Sequence, residues 1–151
     1  MSDLQCAATI ILASDGDAAA VAAELTRRHV GGLWTSADAT AQQTATVVGT
    51  TLGTPPRTDE RLAAIGVDEE PHTAVTRFAD AVWDISDLTR GETSVVITHP
   101  DILAAAVASR CRNVPADLTR SEPLDAGETA EIDVDSDGWV CTRWGRHAFA
   151  K

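Results

Sequence analysis

The sequence predicts an α/β fold: a doubly wound, mostly parallel sheet with helices on both faces. Three observations lead there. Short apolar runs alternate along the chain with longer segments of helical periodicity. Two of those runs, residues 7–13 and 94–98, are apolar enough to be strands buried on both sides. Both lead directly into a helix start, through Gly16 and Asp17 in one case and Pro100 in the other, which is the order a strand–helix crossover needs.

Taken in order, residues 7–13 read as a buried strand. Asp17 is placed to cap a helix over residues 18–29, with Val21 and Leu25 on its apolar face, and Gly31-Gly32 breaks it. Residues 33–35 form a short strand. A second helix covers residues 37–52 and stops at Gly53 and Pro55. Residues 54–71 look like loop, with a short element around 61–65. Pro71 opens a third helix to Leu88, whose Val75, Phe78, Val82 and Ile85 share one face, and Gly91 ends it. Residues 94–98 make the clearest buried strand, and a helix from Pro100 to about Arg112 follows. The tail holds two strands, 129–134 and 139–143, joined by an Asp/Gly turn. Without an internal repeat or a linker-like tract, residues 1–151 read as a single domain.

A chain of 151 residues can bury a proper core, and 44% hydrophobic residues is ordinary for a globular protein. A net charge of -11 argues against nucleic acid and anionic membranes as partners, since both require basic surface. The partner is then a small molecule or a protein, with a homodimer compatible with the sequence. Lys151 is the only lysine, so nearly all basic charge is arginine. Cys6, Cys111 and Cys141 lie far apart without a C-x-x-C pair, which signals neither zinc nor redox chemistry; reduced thiols in a cytoplasmic protein are expected. The apolar run beginning at Cys6 lacks preceding basic residues and is too short to span a bilayer.

Four segments carry a family resemblance. Residues 9–18, Thr-Ile-Ile-Leu-Ala-Ser-Asp-Gly-Asp-Ala, resemble the L-V-R-H-G-D/E signature of the histidine phosphatase (phosphoglycerate mutase-like) superfamily through Leu12, Gly16 and Asp17. Residues 33–45 resemble its S-S-P-L-x-R-A-x-Q-T-A segment through Ser36, Ala41, Gln43, Thr44 and Ala45. Ser94-Val-Val-Ile-Thr-His-Pro resembles V-L-V-V-S-H-G, with His99 on the second family histidine, and the Asp-rich hairpin before Trp144 and His147 resembles the closing strands. The short spacers are most similar to those of the small phosphohistidine phosphatases. The resemblance implies a phosphoglycerate mutase-like fold. It also implies a pocket in which one histidine attacks phosphorus while two arginines and the second histidine hold the phosphoryl oxygens.

In this chain the implied pocket is degenerate. Ser14 stands at the first arginine, Asp15 at the nucleophilic histidine and Thr40 at the second arginine. Ala63 and Ala64 fall where the family's acid is sought. The pocket candidates are therefore Ser14, Asp15, Gly16, Thr40 and His99, with Asp17, Asp38 and Asp101 near in sequence. Asp15 and His99 are expected to face each other at the carboxyl ends of adjacent parallel strands. A phosphate dianion meets repulsion there rather than a clamp. The expected role is ligand or protein binding or regulation on a histidine phosphatase fold that has lost phosphohistidine catalysis, with no cofactor.

The alternative is an active phosphatase with altered chemistry, Asp15 being nucleophile or metal ligand. A strand followed by Asp-x-Asp is also how haloacid dehalogenase-like phosphatases present a nucleophile, although a cap at Asp17 and a turn at Asp15 account for the same residues. Asp15, Asp17, His99 and Asp101 are the candidate metal ligands, since carboxylates with one imidazole suit divalent ions. Before Pro100, His99 sits at a helix N-terminus, where free N–H groups favour an anion. Residues 133–138 mimic half a calcium loop, but position twelve is Trp144 and a hairpin turn is the simpler reading. Trp34, Trp83, Trp139 and Trp144 read as core or interface.

Overall fold

Successive side chains of an extended segment point to opposite faces, and residues 8–14 present apolar side chains to both. That pattern sets the architecture. In the computed structural model, which describes residues 6–150, this segment is β1 (Ala8–Ser14). The other strands are β2 (Gly32–Thr35), β3 (Pro56–Thr58), β4 (Thr93–Thr98), β5 (Thr129–Asp135), β6 (Gly138–Trp144) and β7 (His147–Ala148). They form one seven-stranded sheet in the order β3-β2-β4-β1-β5-β6-β7. From β3 to β1 the pairing is parallel, and from β1 to β7 it is antiparallel. The helices are α1 (Ala18–Leu25), α2 (Ala39–Leu52), α3 (Pro71–Leu88), α4 (Pro100–Arg110) and α5 (Leu118–Ser121).

Each face of β1 seeds a core. Ile10 and Leu12 pack with Val96 of β4, Phe78 and Val82 of α3 and Ile102 and Leu103 of α4. Ile11 and Ala13 pack with Val95 and Ile97 of β4, Leu25 of α1 and Val48 of α2. Helices thus cover both faces, as the sequence predicts. Burying one such aliphatic side chain contributes about 1.5–3 kcal/mol, so the two clusters are the main source of stability. Trp34, Trp139 and Trp144 are buried, and Trp144 donates its indole N–H to the carbonyl of Glu122 at 2.8 Å. The thiols of Cys111 and Cys141 are free and buried, which pushes them up to about 12 and about 11 and leaves them unreactive.

Four details depart from the sequence expectation. Helix α1 ends at Leu25 rather than near residue 29, because residues 26–29 are polar and exposed and no apolar face holds them to the sheet. Residues 56–58, expected as loop, form the edge strand β3. Its leading Pro56 needs no donor there. The chain returns from α2 to this edge so closely that a Cβ on Gly49 would lie 2.7 Å from the carbonyl oxygen of Thr54. Helix α5, a single turn, and the two-residue strand β7, which adds a third strand to the tail, are also absent from the sequence reading. The Asp-rich tail segment is a hairpin turn as expected, with Asp135 accepting a hydrogen bond from the N–H of Asp137 at 2.8 Å. Among the described residues no helix is long and apolar enough to cross a membrane.

One arginine shapes the wall of the cleft described below. Arg77 of α3 donates to both carboxylate oxygens of Glu69 at 2.8 and 2.7 Å. It also donates to the carbonyls of Arg61, Ala63 and Ala64 at 2.9, 2.8 and 2.9 Å. The guanidinium thereby pins residues 61–69 onto α3, and its hydrogen bonds pull the Glu69 carboxyl down to about 2. Replacing Arg77 with Met is expected to strand three carbonyls. The loss should be about 1–3 kcal/mol, a fall in Tm of roughly 2–10 °C by thermal melting at neutral pH. The Glu69 pair contributes above the ordinary glutamate value of 4.5 and is lost as pH falls towards 2, so the gap between wild type and Arg77→Met should narrow over that window. An unchanged Tm would show that the loop does not depend on Arg77.

Candidate functional site

Parallel pairing of β1 with β4 aligns Ser14 with Thr98, so the next residues, Asp15 and His99, leave the sheet side by side. The N–H of Asp15 still donates to the carbonyl of Thr98 at 3.0 Å, which carries the register one residue past the strand end. The chain then turns sharply at Gly16, whose φ of 109° suits glycine. Asp17 caps α1 by accepting from the N–H of Ala20 at 3.1 Å. His99 is the N-cap residue of α4 without a side-chain cap bond, and Pro100 begins the helix. These are the carboxyl ends of parallel strands, where doubly wound sheets bind ligands.

The resulting cleft, about 360 Å³, is lined by Asp15, Asp38, Thr40, Ala64, His99 and Asp101 with Ala39 and Ile65. Its walls carry three carboxylates and one imidazole, with no arginine or lysine. Asp15 is only 7% exposed, and its Oδ1 lies 3.7 Å from Nδ1 of His99. Burial pushes the Asp15 carboxyl above its ordinary value, His99 pulls it back, and Asp38 and Asp101 push it up further. Asp38 accepts from the hydroxyl of Ser36 at 3.0 Å and from the N–H of Ala64 at 3.3 Å, tying the start of α2 to the loop held by Arg77. A second anion about 4 Å from any one of these carboxylates is repelled by ~1 kcal/mol in water and ~4 kcal/mol in a half-buried site. The arrangement suits a hydrogen-bond donor or a cation better than a phosphate.

Of the residues singled out from sequence, Asp15, Thr40, His99, Asp38 and Asp101 come together. Ser14 is fully buried, its hydroxyl has no hydrogen-bond partner, and it does not line the cleft. Gly16 donates its N–H to Thr44 Oγ1 at 3.0 Å, and Thr44 in turn donates to the carbonyl of Thr40 at 2.8 Å, so these residues brace the cleft from behind. Asp17 is spent on capping α1. Among the described residues no group of three or more His, Cys, Asp or Glu is arranged to hold a metal ion. Ala64 lines the wall where the acid of the resembling family is sought, and Ala63 accepts from Arg77. Sequence reasoning missed Arg77, because a lone arginine on a helix carries no local signal of the loop it binds. It also missed the wall formed by Ile65, which only that loop positions.

Replacing Asp15 with Asn keeps the shape and removes the buried charge. A carboxyl raised in the folded state stabilises the fold below its ordinary value of 3.8 and loses that contribution as pH rises through the raised value. Asp15→Asn should therefore raise Tm near pH 7. The difference should vanish below pH 3.8. Thermal melts across that pH range check it, and a destabilised variant would mean that the carboxylate is satisfied by the fold itself.

No protein-family model matches the chain, and no curated protein matches it by sequence. Solved structures do. Bacillus stearothermophilus YhfR superposes with a TM-score of 0.79 at 21% identity, over 93% of this chain and 98% of that one. A phosphoglycerate mutase from Bacillus anthracis superposes with a TM-score of 0.76 at 11% identity, over 95% of each chain. A mycobacterial glucosyl-3-phosphoglycerate phosphatase in complex with VO3 gives a TM-score of 0.75 at 13% identity, over 94% of this chain and 100% of that one. Near-complete overlap in both directions, with the strand order and the parallel β1–β4 pair already described, establishes that this chain has the histidine phosphatase, phosphoglycerate mutase-like fold.

Proposed function

We propose that this protein uses the histidine phosphatase fold without phosphohistidine chemistry, and acts by binding a ligand or protein at the remodelled cleft. One observation carries the reading. At the carboxyl end of β1 stands a buried aspartate, Asp15, in a cleft whose walls hold carboxylates and no guanidinium. Phosphoryl transfer through histidine needs an imidazole nucleophile and cations on the phosphoryl oxygens. The two arginines that bracket the loop behind the wall are engaged elsewhere: Arg61 binds Asp59 and Asp84 at 2.9 and 2.8 Å, and Arg77 binds Glu69 and the loop. An aspartyl-phosphate route through Asp-x-Asp lacks its second carboxylate, because Asp17 caps α1 outside the cleft. The charge of -11 supports a small molecule or a protein as partner rather than nucleic acid or an anionic membrane, in a cytoplasmic single-domain protein.

Wild-type protein should hydrolyse neither p-nitrophenyl phosphate nor a phosphohistidine peptide above background, and calorimetry with inorganic phosphate should show no saturable heat. The double variant Asp15→His with Thr40→Arg removes one negative charge and adds a bidentate donor at an exposed wall position. Each charge-assisted hydrogen bond contributes about 1.5–3 kcal/mol, so phosphate affinity should rise by about tenfold or more. Turnover by the wild type that is abolished in His99→Ala would overturn the proposal, as would equal phosphate affinity in the two proteins.

A further inference from the structure

Two openings meet at His99. One is the acidic cleft. The other is an apolar trough of about 640 Å³ along α4, walled by Pro100, Ala104, Ala105 and Ala108 and bordered on its α5 side by Arg120. Ile65, His99 and Asp101 line both, so the two openings adjoin, one acidic and the other mostly apolar with Thr119 and Arg120 on its α5 border. The size of the trough lies in the range of small-molecule sites.

The acidic end contains a buried carboxylate with spare acceptor capacity. The Asp15 side chain is more than nine-tenths buried, lines the cleft, and has a backbone hydrogen bond only within its own residue, against the four acceptor positions of a carboxylate. Its nearest cationic group is His99 Nδ1, 3.7 Å away, beyond hydrogen-bond length and charged only when protonated. Buried carboxylates are ordinarily hydrogen-bonded or paired, because an unsatisfied one carries its full desolvation cost. A donor arriving from outside removes that cost. A bare divalent ion needs several closely spaced protein ligands, and no group of three is present among the described residues. An ammonium group asks only for acceptors within hydrogen-bond reach, and has three N–H donors to offer.

We infer that the adjoining openings bind a small organic ammonium ion, its cationic head on the carboxylates of Asp15 and Asp101 and its apolar body along α4 beside Ala104 and Ala105. The inference deepens the proposed binding role and rests on it. Asp101 is exposed and stands where the two openings join, so it receives the head as Asp15 does from below. Alanines along the trough leave room for a carbon skeleton and offer it no polar competition.

The test is a titration of the full chain with hexylamine, hexanoate, ammonium chloride and hexanol, followed by calorimetry and by backbone amide shifts. Hexylamine should bind saturably and move the amides of His99, Ala104 and Ala105. Ammonium chloride and hexanol, each carrying half of the ligand, should bind at least about tenfold more weakly, the ratio that 1.4 kcal/mol produces. Asp15→Asn should lower hexylamine affinity by about tenfold or more while its melt stays cooperative, and Asp101→Asn by a smaller factor. Hexanoate binding as tightly as hexylamine overturns the inference, as does undiminished affinity in Asp15→Asn or the lack of saturable hexylamine binding. If hexylamine fails and phosphatase turnover is also absent, the binding role stands with a different ligand. If turnover is found, the binding role itself falls.

Discussion

Parallel pairing between β1 and β4 is the constraint on which everything else in this molecule rests. β1 lies at the junction of the parallel and antiparallel parts of the sheet, hydrogen-bonded to β4 on one side and β5 on the other. Its side chains feed both cores, so its register cannot slip by one residue without exchanging the two apolar faces. That register also decides what stands at the strand ends. Ser14 pairs with Thr98, and the Asp15 N–H to Thr98 carbonyl bond then leaves Asp15 and His99 as neighbours. Two residues far apart in sequence are thus brought together by backbone geometry alone, before any side chain attracts another.

What the fold delivers to that point is a cleft lined by carboxylates and one imidazole. The scaffold supports its wall firmly: Asp38 ties Ser36 to Ala64, Thr44 ties Gly16 to the first turn of α2, and Arg77 ties the whole of residues 61–69 to α3. The Arg77 guanidinium behind the wall is therefore a structural device, fully occupied by a carboxylate and three carbonyls. Arg146 is no closer to the role, being exposed at the turn before β7 and 3.9 Å from Glu122. On the proposed reading, a preorganised wall with anionic lining disfavours phosphate and favours a donor.

The tension at Asp15 gives the cleft its character. A carboxylate at the end of a buried strand loses hydration, and Asp38 and Asp101 add repulsion to that loss. Proteins tolerate local costs of this kind at sites that bind something, because the partner removes the cost. An apolar trough lies beside it along α4, and His99 borders both.

The sequence by itself determined the elements and their layering. The continuous apolar runs at residues 7–13 and 94–98 specify buried strands, Pro71 and Pro100 specify helix starts, and the facing residues Val75, Phe78, Val82 and Ile85 specify the buried side of α3. These signals are legible because they are local: a period of side chains, a fixed φ or a missing N–H acts within a few residues. Segment resemblances also placed Asp15, Thr40 and His99 on one cleft. Tertiary structure alone decided which neighbours were walls and which were braces. Ser14 faces inward and away from the cleft, Asp17 turns to cap its own helix, and β3 exists only because β2 offers it an edge. Arg77 acquires its partners from a loop that has no periodicity to read. Such roles depend on long-range contacts, and the direction of a side chain in a turn is set by what packs against it, which no spacing along the chain records.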